Sequence, residues 1–150
     1  MSQSLDLFTI GFTKKTAQQF FEMLQKNGVK RVIDTRLNNA SQLAGFAKKK
    51  DLQYFLKTIG NIEYVHLLDL APTKDILDNY KKKKIDWETY ESKFTELITK
   101  RKIETKVSPE DLQGACLLCS EAKPHHCHRR LVAEYFQQTL TDVVKIHHLE

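Results

Sequence analysis

A three-layer α/β/α, Rossmann-like domain with about five mostly parallel strands is what the sequence predicts, and three observations predict it. Short apolar segments alternate with amphipathic helical ones, the pattern of a parallel sheet covered on both faces. One segment, Ala115–Cys119 (ACLLC), is a continuous apolar run, as expected of a strand buried on both sides. The chain has 150 residues, 41% hydrophobic and 29% charged, enough for a single core without a disulfide or metal staple.

Residues 5–12 (LDLFTIGF) read as the first strand, short, apolar and ending at a glycine. Thr16 caps the helix that follows, with Gln19 as its capping-box partner. Phe20, Phe21, Met23 and Leu24 give that helix an apolar face, and Gly28 ends it. Residues 29–34 form the second strand and 35–46 a loop. Leu52, Phe55, Leu56 and Ile59 mark a second helix closed by Gly60, and residues 62–67 a third strand. A longer excursion follows. Pro72 and Thr73 start a short helix carrying Ile76, Leu77 and Tyr80. Asp86 caps a longer one on which Trp87, Tyr90, Phe94, Leu97 and Ile98 share a face. Ser108-Pro109-Glu110 is a helix start with proline at the first position. After the ACLLC strand, residues 128–140 are helical, with Leu131, Val132, Tyr135, Phe136 and Leu140 inward, and residues 143–147 make the last strand.

The most apolar strand belongs near the centre beside the first, which suggests the order 3-2-1-4-5 with extra helices between strands 3 and 4. Residues 1–148 are then one domain. Leu149-Glu150 reads as an expression-tag remnant, and His147 and His148 carry no weight in the functional reading. Met1-Ser2-Gln3-Ser4 lacks a signal-peptide pattern, and no apolar run has transmembrane length, so a cytoplasmic protein and no membrane partner are expected. Cys116, Cys119 and Cys127 are expected to stay reduced, the odd count arguing against a disulfide framework.

The net charge is +5. Lysines cluster at Lys48-Lys49-Lys50, at residues 81–84 and around Lys100-Arg101-Lys102. Solvated helix faces explain such clusters, and attraction to phosphates or nucleic acid is the sharper alternative. No aromatic-basic RNA-binding pattern and no zinc-finger spacing supports the latter.

In open parallel sheets, ligands bind beyond the carboxyl ends of the strands, where strand order reverses. The chain delivers Gly11, Thr13, Lys14 and Lys15 there from strand 1. Asp34 and Arg36 come from strand 2, His66 from strand 3, and Cys119, Ser120 and Glu121 from strand 4. Cys127-His128-Arg129-Arg130 then opens a helix, where free N–H groups and the dipole favour an anion. Arg129 and Arg130 add guanidinium forks, and His125, His126, His128 and Lys123 raise the local positive potential, in which a thiol gains thiolate character. Cys116 is expected in the core, and Cys127 is read equally as a small buried residue or a functional thiol.

Three motifs fail. Cys116-x-x-Cys119 has redox-pair spacing, but an odd offset in a strand points the side chains to opposite faces. A zinc site from Cys119, Cys127 and a nearby histidine matches no usual ligand spacing. A phosphatase-type loop is analogous, yet nine residues separate Cys119 from Arg129, too many for that short loop.

Thr9-Ile10-Gly11, Asp34-x-Arg36, Tyr64-x-His66 and, above all, the Cys119-x-Glu121 … Cys127-His128-Arg129 block resemble the bacterial family called domain of unknown function 488. The resemblance runs from residue 8 to about residue 146. It implies a small three-layer α/β domain with a shared site at these positions, and no established reaction. Many members follow the Asp-x-Arg with a proline-containing loop, where this chain has Leu37-Asn38-Asn39-Ala40. Many have a Gly-Gly turn after strand 3, where this chain has Leu70-Ala71-Pro72-Thr73. These departures imply a sub-branch with altered rims around a common Cys/Arg floor.

The leading functional expectation is an enzyme acting on a phosphate-bearing or other anionic substrate, nucleotide or nucleic-acid related. Cys119 serves as nucleophile or polar anchor and Glu121 as acid/base, with Asp34 orienting Arg36 and His66 in reserve. Arg36, Arg129, Arg130, His128, Thr13 and Gly11 are expected to bind substrate. The alternatives are a non-catalytic nucleic-acid or nucleotide-binding module and a zinc-binding domain. No cofactor and no metal enter the leading reading, and nothing in the sequence sets an oligomeric state.

Overall fold

The structure is a computed structural model and describes residues 4–38, 45–121 and 124–150. Lys123, and the part of the loop after Asp34 that spans residues 39–44, lie outside the described residues.

Among the described residues five strands form one sheet: β1 (Ser4–Gly11), β2 (Arg31–Asp34), β3 (Glu63–His66), β4 (Ala115–Cys119) and β5 (Val143–Leu149). Every pairing is parallel, and the order is β3-β2-β4-β1-β5. This corrects the expected 3-2-1-4-5. β4 does lie centrally and beside β1, but it also separates β1 from β2. The helix α1 (Ala17–Lys26) therefore carries the chain across a strand rather than to its neighbour. The wholly apolar, wholly buried β4 takes the middle, where a strand must be covered on both faces.

The helices split between the two faces. α1 and α2 (Lys49–Gly60) pack Phe20, Phe21, Leu24, Leu52 and Leu56 against Ile10, Val32, Cys116 and Leu118. On the other face, α4 (Trp87–Arg101), α5 (Pro109–Leu112) and α6 (His128–Thr139) cover Leu7, Ile33 and Leu117 with Phe94, Ile98, Leu112 and Phe136. The short α3 (Lys74–Lys81) lies against α4. Because side chains alternate along a strand, Cys116 faces α1 and α2 while Cys119 faces α6.

Local signals set most helix ends. Thr16 and Gln19 form the reciprocal capping box, and Thr73, Asp86 and Ser108 each accept a backbone N–H at their helix starts. Gly28, past the end of α1, has φ 68°. At the end of α2 the left-handed residue is Asn61 rather than Gly60, which is the last helical residue. β5 pairs with β1 through Leu149, opposite Ile10, and Thr9 Oγ1 lies 2.6 Å from His148 Nδ1. The last strand thus takes in residues that the sequence reading set aside. Among the described residues no helix is long and apolar enough to cross a membrane.

Candidate functional site

β4 sits between β1 and β2, whose following helices cover one face, while its own following helix, α6, covers the other. Successive crossovers turn from one side of the sheet to the other at β4, so the carboxyl end of this strand is the position where such sheets bind ligands.

Arg36 is held there with little freedom. Its backbone N and Nε donate to Asp34 Oδ1 at 3.1 and 2.8 Å, and its Nη2 donates to Asp34 Oδ2 and the Ala47 carbonyl at 2.8 and 2.7 Å. Tyr64 Oη donates to Asp34 Oδ2 at 2.6 Å, and His66 Nε2 donates to the Arg36 carbonyl at 2.6 Å. The guanidinium carbon lies 5.3 Å from the centre of the Phe12 ring. The pair is buried, Arg36 being 3% exposed, and Arg36 Nη1 has no hydrogen-bond partner among the described residues.

Arg129 is fully buried behind the strand end. Its Nη1 donates to Cys119 Sγ at 3.0 Å and to the Glu121 carbonyl at 2.6 Å. Burial pulls its guanidinium down to about 10, which leaves it cationic at neutral pH. Lys15 and His148 are both held below their ordinary values, by burial first and by the Arg129 charge second. Gly11 makes this packing possible. A Cβ there would stand 1.5 Å from the Glu121 carbonyl oxygen and 2.9 Å from Arg129 Nη1.

His128 opens α6 and is neutral, burial lowering its imidazole to about 4. Its Nε2 must therefore carry the proton it donates to the Thr35 carbonyl at 2.7 Å. Thr35 Oγ1 in turn donates to the Leu118 carbonyl at 2.7 Å, tying β2, β4 and α6 together.

Cys119 and Cys127 are joined as a disulfide, their sulfurs 2.10 Å and their Cα atoms 7.5 Å apart. This corrects the expectation that all three cysteines are reduced. Sequence spacing could not show it, because the end of β4 and the start of α6 approach only in the fold. Cys116 is free and buried, and burial pushes its thiol up.

A cavity of about 150 Å³ opens over these groups. One wall is Arg36, Leu37, Cys119, Ser120, Glu121, Cys127 and His128. The facing wall comes from the excursion between β3 and β4: Pro72, Leu77, Tyr80, Lys81, Trp87 and Tyr90, with His126. Trp87 stacks on Tyr90 and His126 at 5.1 and 4.8 Å, and Tyr80 meets Tyr90 at 4.9 Å. The sequence reading placed these aromatics on helix faces and missed them as a site wall. Their density within one segment was the available signal.

Of the expected site residues, Cys119, Glu121, Arg36 and His128 line the cavity. Asp34, His66 and Arg129 stand behind it and hold those that do. Gly11 acts by its lack of a side chain, and Thr13 through its backbone N–H to the Ser120 carbonyl at 3.1 Å. Arg130 turns away, its Nε donating to the His125 carbonyl and its other nitrogens facing Glu134 and Glu91. Among the described residues no group of three His, Cys, Asp or Glu side chains is arranged to hold a metal ion.

Fold and site together define a parallel α/β domain with a buried, oriented arginine at its strand switch point. The family model for the domain of unknown function DUF488 matches residues 16–136, and the chain belongs to that family. No curated protein and no solved structure matches the chain.

Proposed function

We propose that this protein is an enzyme acting on a phosphate-bearing or other anionic substrate, nucleotide or nucleic-acid related, in the cavity between Arg36 and the aromatic wall. The observation that carries the reading is Arg36. Asp34 fixes its guanidinium, Arg36 lines the cavity, and its Nη1 has no partner among the described residues. An anion supplies that partner, and the amides at the start of α6 add to the attraction. Reduced Cys119 is the nucleophile and Glu121 carries the proton, while Arg129 positions both by gripping the sulfur and the Glu121 carbonyl. The aromatic wall suits the flat base of a nucleotide. The cytoplasm, where thiols are kept reduced, is its place of action.

Titration calorimetry of the reduced protein with inorganic phosphate and a nucleoside monophosphate tests this. Arg36→Lys keeps a cation for Asp34 and removes the free N–H. It should weaken phosphate-bearing ligands by about 1.5–3 kcal/mol, the worth of a hydrogen bond to a charged group. Equal binding by both proteins rejects Arg36 as the anion contact.

A binding module is the second reading, favoured by one observation. Exposed Lys14, Lys48, Lys49 and Lys50 follow the ends of β1 and β2, on the cavity's edge of the sheet. That role requires nucleic-acid binding that falls steeply with added salt, without turnover.

A further inference from the structure

We propose that Cys119 and Cys127 are a redox pair that exchanges with low-molecular-weight disulfides, and that oxidation withdraws Cys119 from the chemistry of the cavity. The two sulfurs are bonded across two elements, the end of β4 and the residue before α6. Both cysteines line the cavity, at 2% and 3% exposure, so a small reagent meets them only from that side. Arg129 Nη1 stands 3.0 Å from Cys119 Sγ, and a guanidinium at that distance favours thiolate over thiol. Cys127 is the N-cap of a 12-residue helix, whose dipole also favours an anionic sulfur. Cys116 lies on the opposite face of the sheet and takes no part.

The exchange has two steps. The Cys119 thiolate attacks one sulfur of the small disulfide, forming a mixed disulfide and expelling one small thiolate. The Cys127 thiolate then attacks Cys119 Sγ and expels the second. Two electrons pass from the protein pair to the small disulfide, and the two protons lost by the cysteines end on the two released thiols. A ratio of small thiol to small disulfide more reducing than the pair itself reverses both steps. The pair stands on its own chemistry, while its effect on turnover rests on the reading of Cys119 as the nucleophile.

The test follows intact mass and free thiols after reduced, full-length protein meets oxidised glutathione. The wild type should lose two hydrogens and keep only Cys116 free, with a peptide map joining Cys119 to Cys127. Cys127→Ser should stop at a stable mixed disulfide on Cys119. Serine is a favoured N-cap, so this variant keeps α6. In Cys119→Ser, capture at Cys127 should be slower by about ten-fold, because Cys127 lacks the guanidinium. A wild type that keeps all its thiols, or that ends as an unresolved mixed disulfide, overturns the pair. Capture by Cys127 as fast as by Cys119 overturns the assignment of attacker. Phosphate binding measured on the same reduced sample separates the two readings: its absence removes the anion site and leaves the pair standing.

Discussion

Gly11 packs the end of β1 against the loop after β4. The clash that a side chain would meet there is with backbone, at the Glu121 carbonyl, and not with a yielding side-chain tip. Gly11→Ala should therefore displace the 119–121 segment and Arg129 together. A loss of about 1–3 kcal/mol in denaturant melts is expected, typical of overpacking, along with weaker phosphate binding. An unchanged midpoint would show that the loop relaxes freely. His128 sets a pH dependence. Its folded value lies near 4, below the ordinary 6.5, so the unfolded chain binds more protons between those limits. Its contribution is present above pH 6.5 and is lost as pH falls toward 4. The slope is up to about 1.4 kcal/mol per pH unit. His128→Gln should flatten the wild-type decline in that window, and parallel melting curves for the two proteins would contradict it.

The capping box at α1 joins the β1 end of the site to a helix that packs on the opposite face from Arg129. Thr16 accepts the Gln19 N–H and Gln19 returns a bond to the Thr16 N–H, both at exposed positions. Thr16→Ala should cost about 1 kcal/mol, read as a lowered urea midpoint with an unchanged slope. α3 and α4 do a different job. They belong to no strand crossover of minimal length, and they bring Tyr80, Trp87 and Tyr90 over the cavity. α4 also buries Tyr90, Phe94 and Ile98 against the sheet, so one helix serves both core and site wall. Ligand entry should accordingly change Trp87 fluorescence.

β4 is the shared spine of both cores. Leu117 packs into the face covered by α4 and α6, and Cys116 and Leu118 into the face covered by α1 and α2. Leu117→Ala should cost about 2–5 kcal/mol. Its far-ultraviolet circular dichroism and Trp87 fluorescence should still melt together, because both faces depend on one strand. Separate transitions would show that the two layers unfold independently. The basic surface and the buried arginines also act on different ranges. Exposed lysines are screened by salt, whereas the Asp34–Arg36 pair, with both side chains nearly inaccessible, is screened far less.

Helix starts, the central apolar strand and the parallel α/β class were legible because each depends on neighbours within a few residues. Thr16 caps through a residue three positions on, and ACLLC reads as buried from its composition alone. The joining of Asp34 to Arg36 was legible in part, since the two stand two residues apart at a strand end. Strand order was not, because β4 enters the sheet between β1 and β2 from far along the chain. Nor were the aromatic wall, the last residues of β5 or the disulfide. The block from Cys119 to Arg130 pointed to a thiol site with an arginine clamp, and its chemical character followed from side chains in sequence. Which arginine faces the cavity depended on contacts between distant elements, and the cysteine pairing on how the eight-residue step from β4 to α6 folds back. Arg129 grips Cys119 from behind while Arg36, more than eighty residues earlier in the chain, lines the cavity. Local periodicity and capping act over one or two turns, whereas a cavity is made where separate elements meet, and only packing brings them there.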